Sequence, residues 1–206
     1  MNRMKKFALI AVCAALLVCV TIGATVAWLT AQDQVTNTFT VGNVAITLDE
    51  AKVDDTGMKI TGEGAQRVKA NAYHLLPGNF YDKDPMVHVA ANSDDCIVFV
   101  KVDNGLAGIE DDPIIAAQIV ANGWTALPGE TGVYYKSTLD SAGNPTPQRV
   151  TKGTELPVFE SFKIRGNVDS TKLNSYAGKT ITVTAYAIQF LDYNIEEVWN
   201  QSGFGA

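Results

Sequence analysis

The chain has 206 residues, of which 16 are basic and 22 acidic, so its formal net charge is −6. This length suits one domain with a sizeable hydrophobic core. The acidic balance argues against a nucleic-acid partner and against adsorption to anionic lipid, because both need clusters of lysine and arginine.

The first segment has the three regions of a secretory signal peptide. Basic residues open it, residues 7–22 form an apolar run, and residues 23–27 are mostly small. We predict a hydrophobic signal helix, cleavage between Ala27 and Trp28, and secretion. Without the three basic residues of the leader, the mature chain has 13 basic and 22 acidic residues, a net charge of −9.

Two other interpretations of the leader concern its attachment to a membrane. Left uncut, residues 7–29 are long enough to cross a bilayer, since a span needs about 20 mostly apolar residues. Lipidation at Cys19 is disfavoured, because Val18 stands where a small residue should precede the modified cysteine. We therefore expect membrane association only through an uncleaved signal.

Alternating residues predict several strands in the first half of the mature chain. They cover residues 35–41, 44–48, 58–61 and 86–89. Residues 96–102 are apolar on both faces and predict a central strand. Its first residue, Cys96, is the one cysteine outside the leader, so it cannot form an internal disulfide. We interpret it as a buried apolar residue, with an intermolecular disulfide or a reactive thiol as alternatives.

The second half begins with a predicted helix. Asp112 and Pro113 have the residue types of an N-cap and a first helical position, and Asn122-Gly123 closes the pattern. Further strands are predicted at residues 124–127, 132–136, 156–164 and 180–189. In the last of these, one face has Ile181, Val183, Ala185 and Ala187 and the other has Thr182, Thr184, Tyr186 and Ile188. Residues 193–199 predict a short closing helix.

Strands at short intervals, separated by Gly, Pro and Asp turns, indicate a mostly β protein. We predict an antiparallel jelly roll or β-sandwich with one or two short helices on its connections, forming a single domain over residues 28–206. A parallel α/β sheet would need a crossover helix after nearly every strand.

The sequence predicts no catalytic, cofactor or metal site. Its two histidines, His74 and His88, lack the one-turn spacing of a zinc helix. Phosphate-binding glycine loops, nucleophile elbows and Cys-x-x-Cys pairs are also missing from the sequence. The acidic clusters lie at expected turns or a helix start, where capping explains them.

Three parts of the chain resemble the TasA/camelysin family, exported proteins of Gram-positive bacteria. The first is GATVAWLT at residues 23–30, followed by VTNTFTVGNV at residues 35–44. The second is LPG at 76–78 with residues 84–89, and the third is AYAIQ at 185–189 with EVWN at 197–200. The first motif is fairly specific and the others are suggestive.

The resemblance implies a jelly-roll subunit of extracellular biofilm-matrix fibres, processed by a signal peptidase of the SipW type. In the TasA type, the freed N-terminal strand of one subunit completes the sheet of its neighbour. Residues 28–41 would then be a donor-strand arm, with Leu29, Val35, Phe39 and Val41 as its apolar plugs. The partners would be further copies of the chain, head to tail, and other matrix proteins at the cell surface or in the matrix.

Three alternatives remain open from the sequence. The predicted strand at residues 35–41 could pair within its own domain. The camelysin label suggests a cell-surface metalloprotease, although the chain lacks a zinc-binding helix. A third alternative is a surface adhesin or spore-coat component that does not polymerise.

Overall fold

The computed structural model describes Met4 and residues 42–190 and 194–204. Residues 42–206 form one compact unit. The described part contains eleven strands: β1 (Ile46–Ala51), β2 (Arg67–Val68), β3 (Phe80–Asp82), β4 (Met86–Val89), β5 (Cys96–Asn104), β6 (Trp124–Ala126), β7 (Val133–Leu139), β8 (Pro145–Pro147), β9 (Glu155–Pro157), β10 (Ser161–Lys163) and β11 (Ile181–Gln189). It also contains three short helices: α1 (Ile115–Ala121), α2 (Ser170–Asn174) and α3 (Ile195–Ser202).

The strands form antiparallel sheets. One sheet has the order β2-β1-β4-β9, and the other has the order β11-β5-β7-β6, with β8 paired to β7. β3 and β10 form a separate pair. The prediction of a mostly β protein with antiparallel sheets and few short helices is confirmed.

The main apolar core lies between the two larger sheets. Val87 and Val89 of β4 and Val98 and Val100 of β5 belong to one buried cluster. β-Branched side chains suit this position because they pack well on a pleated surface. Each contributes about 1.5–3 kcal/mol when fully buried.

A second apolar cluster covers the opposite face of β5. Phe99 packs against Trp199 of α3, with ring centroids 5.2 Å apart, and Tyr186 of β11 meets the same indole at 5.5 Å. β5 is therefore buried on both faces, which confirms that it is the predicted central strand. Cys96 at its start is fully buried, and burial raises the pKa of its thiol to about 11.

Two predicted elements are wrong in detail. The strand expected at residues 156–164 is divided into β9, which pairs with β4, and β10, which pairs with β3. α1 begins at Ile115 and not beside Asp112. Its first amide instead donates to Oε1 of Glu110 at 2.6 Å, so a carboxylate from outside the helix satisfies it.

Two short elements also differ from expectation. The strand predicted at residues 58–61 is reduced to a single bridge between Val53 and Lys59. α2 was not predicted, although Asp169 caps it by accepting from the amide of Lys172 at 2.7 Å.

Within residues 42–190 and 194–204, no helix is long and apolar enough to cross a membrane.

The closing helix should contribute strongly to stability through one side chain. We expect Trp199→Ala to lower the free energy of unfolding by about 3–5 kcal/mol, because it removes a buried indole from the second cluster. Urea unfolding measures this. Gln201→Ala, on the exposed side of the same helix, is the matched control and should change stability little; equal losses for both variants would contradict the packing.

Candidate functional site

The candidate site is the outer edge of β11. In the part of the chain that the structure describes, β11 pairs with β5 alone. The amide of Gly105 donates to the carbonyl of Thr180 at 2.9 Å, and the amide of Phe190 donates to that of Asp95 at 2.8 Å. Even-numbered residues of β11 therefore bond to β5. Because antiparallel bonding alternates, the amides and carbonyls of the odd-numbered residues point outward.

The odd-numbered residues also form an apolar row. Ile181, Val183, Ala185 and Ala187 are half-buried and pack against the main core. Thr182 and Thr184, by contrast, lie on the exposed face. One set of residues thus offers an apolar strip together with backbone groups that no other described strand pairs with, the two features that bind an added strand.

β1 forms the opposite wall, on the other sheet, and the two strands lie close together. Ile46 and Leu48 of β1 pack against the same core. The amide of Ala90 donates to the carbonyl of Ala45 at 2.9 Å, so the backbone groups of Ile46 and Leu48 point away from β4. Lys69 donates to the carbonyl of Leu48 and covers part of this edge. We call the space between the outer edges of β1 and β11 the acceptor groove.

The groove opens at its Ile181 end into a cavity of about 1030 Å³. Residues 69–76 line one side of this cavity and residues 173–183 line the other. Leu48, Leu106 and Phe162 also line it, so much of its wall is apolar.

The charges buried beside the cavity are paired within the chain. Glu50 and Lys83 form an ion pair whose side chains are only 6% and 10% exposed. Asn71 donates to Oε1 of Glu50 at 2.9 Å and to the carbonyl of Ala51 at 2.8 Å, which holds residues 69–76 against β1. Burial, followed by the nearby Glu50 carboxylate, raises the pKa of Tyr73, so its phenol stays neutral.

Asp84 fixes the far end of β1. It accepts from the amide of Ala51 at 2.6 Å and pairs with Lys59 at 3.0 Å and Arg67 at 3.4 Å. Burial raises the pKa of its carboxyl, but these donors outweigh burial and the net pKa is lowered. The carboxylate therefore stays charged and keeps β1 in place.

His88 lies on the outer face of β4, between buried Val87 and Val89. Its Nε2 lies 2.9 Å from Asp49, and its Nδ1 lies 3.3 Å from Glu155. His74 is exposed. Among the residues that the structure describes, no group of three or more His, Cys, Asp or Glu side chains could hold a metal ion.

Gly42 and Asn43 lie at the other end of the groove. The amide of Asn43 donates to Asp94 at 2.8 Å, and the amide of Asp94 returns a bond to the carbonyl of Asn43 at 2.8 Å. A Cβ on Gly42 would lie 2.9 Å from Oε1 of Gln189, so Gly42 is close to this side chain. Gly42, the first residue of the compact unit, therefore lies beside the last residue of β11.

The predicted functional residues precede Gly42 in the chain. The cleavage site and the apolar plugs lie outside the described residues: Ala27, Trp28, Leu29, Val35, Phe39 and Val41. Their roles stay predictions. Comparisons of the chain with protein-family models, curated proteins and solved structures found no match.

Sequence reasoning missed the acceptor side of the site. It predicted β11 and its two different faces, but not its position at a sheet edge. The exposed threonines are the available signal, because β5 is apolar on both faces and β11 is not. No sequence pattern predicted the wall at residues 69–76. Side-chain hydrogen bonds, and not strand pairing, hold this segment against β1.

Hydrogen exchange should alternate along β11 in the isolated body, residues 42–206. We expect the amides of Val183, Ala185 and Ala187 to exchange rapidly, because they point outward. Those of Thr184 and Tyr186 should be protected, because they bond to β5. Residue-resolved NMR exchange measures this pattern, and uniform protection along the strand would contradict an open edge.

Proposed function

We propose that the chain is a secreted structural subunit of extracellular biofilm-matrix fibres. Cleavage between Ala27 and Trp28 frees residues 28–41, and this arm adds as a strand to the acceptor groove of a neighbouring copy. The outer edge of β11 carries the proposal: no strand of residues 42–190 pairs with it, and its outward backbone groups lie above an apolar row. Strand addition satisfies such backbone groups, while alternate side chains enter the groove.

The sequences of the arm and of β11 complement each other. In the arm, Val35, Phe39 and Val41 alternate with three threonines. In β11, Ile181 and Val183 alternate with Thr182 and Thr184. An arm strand beside β11 would place its apolar residues over the core and its threonines on the exposed face, since alternate residues of a strand share one side.

Each subunit would supply one arm and one groove. The contact is therefore head to tail, and such a contact propagates as a filament when its rotation does not close a ring. A net charge of −9 on the mature chain favours solubility before assembly. The finer jelly-roll arrangement and membership of the TasA/camelysin family belong to the same proposal, which the motifs at residues 23–44 support.

The arm should be necessary for assembly. We expect residues 28–206 to form filaments under conditions in which residues 42–206 stay monomeric, because only the longer chain can donate a strand. Electron microscopy and size-exclusion chromatography measure the two states. Equal polymerisation of both chains would exclude strand donation, and extracellular protein that retains its leader would exclude the proposed processing.

The groove should be equally necessary. We expect Val183→Asp in residues 28–206 to abolish filaments, because a carboxylate in the apolar row opposes the incoming strand. Thr184→Asp, one residue away on the exposed face, is the matched control and should still assemble. Circular dichroism verifies that both variants fold, and Ala187→Asp repeats the test if the first variant does not. Filaments from a folded groove variant would contradict this site.

A further inference from the structure

We propose that the donated arm runs parallel to β11, with Val41 beside Gln189 and Phe39 beside Ala187, so that Trp28 and Leu29 enter the cavity at the Ile181 end. This inference rests on the proposed function and adds the direction and register of the strand. Its occupant is residues 28–41 of a second copy.

The two ends of the groove differ in chemistry. The Ile181 end opens into the cavity with Leu48, Leu106 and Phe162 in its wall. The Gln189 end is polar and carries the Asp94 contacts. The arm has a matching asymmetry, because it begins with Trp-Leu and ends at Gly-Asn. A tryptophan side chain gains most from a large apolar site, since it buries about 150–250 Å². Only the parallel direction brings Trp28 of the arm to the cavity at the Ile181 end.

The length of the arm fits this direction. With Val41 beside Gln189, residues 33–41 lie along all nine residues of β11. Residues 28–32 then extend about 16 Å beyond Ile181, at about 3.3 Å per residue. The cavity flanked by residues 69–76 and 173–180 lies at this end.

Charge does not decide the direction. In the parallel register Asp33 comes beside Ile181, at the cavity that Lys69, Lys179, Asp49 and Glu50 line. In the reversed register, with Val35 beside Gln189, Asp33 would approach the end of the groove that carries both Asp94 and Arg149, whose guanidinium lies over the Phe190 ring. The alanines of β11 do not decide the direction, because the reversed register also places Phe39 beside one of them.

The position of Gly42 gives a further reason. Because Gly42 lies beside Gln189, an arm folded along its own β11 could only run parallel to it. Exchange of such a strand between copies keeps the same pairing, as in domain swapping. Sheets with one strand of different direction at the edge are common.

Crosslinking distinguishes the two directions. Thr36, Thr40 and Thr184 would all lie on the exposed face. In the parallel register Thr36→Cys lies about 5 Å from Thr184→Cys, and Thr40→Cys lies about 13 Å along the strand from it; the reversed register exchanges these distances. A thiol crosslinker of about 6 Å is added to assembled residues 28–206 carrying either pair. Buried Cys96 should not react, because its pKa is raised to about 11.

We expect the Thr36→Cys/Thr184→Cys filaments to give a ladder of crosslinked subunits on a denaturing gel. The Thr40→Cys/Thr184→Cys filaments should give none, because a separation of about 13 Å exceeds the reach of the crosslinker. Filaments that crosslink through Thr40→Cys, or through neither pair, would overturn the direction while strand donation stands. Crosslinks confined to single chains would support the register and contradict the proposed function.

Discussion

The outer edge of β11, which has no strand partner among the described residues, is the constraint on which the account depends. Within that part of the chain, its nine residues leave a row of outward amides and carbonyls, and exposed edges of this kind pair readily with other chains. Val183 and Ala187 belong to this strand, and their side chains pack at the rim of the core. An added strand would therefore satisfy backbone groups and bury apolar surface together.

The rest of the body holds this edge in a fixed position. β5 pairs with β11 along its full length, and α3 packs Trp199 against Tyr186 on the outer face. On the opposite wall, Asp84 holds the end of β1, and the hydrogen bonds of Asn71 to Glu50 and Ala51 hold residues 69–76 against it. A groove that is already formed lowers the ordering cost of binding, so less of the interaction energy is lost when the arm is captured.

Local patterns predicted the parts of the fold that depend on local physics. The doubly apolar run at residues 96–102 indicated the central strand, and the alternation at residues 180–189 indicated the two faces of β11. The division of residues 156–164 between two sheets depends on which strands are neighbours, which periodicity does not contain. For the same reason, periodicity could not predict that β11 lies at the edge of its sheet. The start of α1 was misplaced because a carboxylate from Glu110, outside the helix, satisfies its first amide.

The most direct test of the central claim separates the donor from the acceptor. A synthetic peptide of residues 28–41 is titrated into residues 42–206, and the amides of β11 are followed by NMR. The account predicts saturable one-to-one binding that protects the odd-numbered amides from Val183 to Ala187 and leaves the even-numbered amides as they were. A peptide that binds elsewhere, or that leaves these amides exchanging freely at saturation, would contradict it.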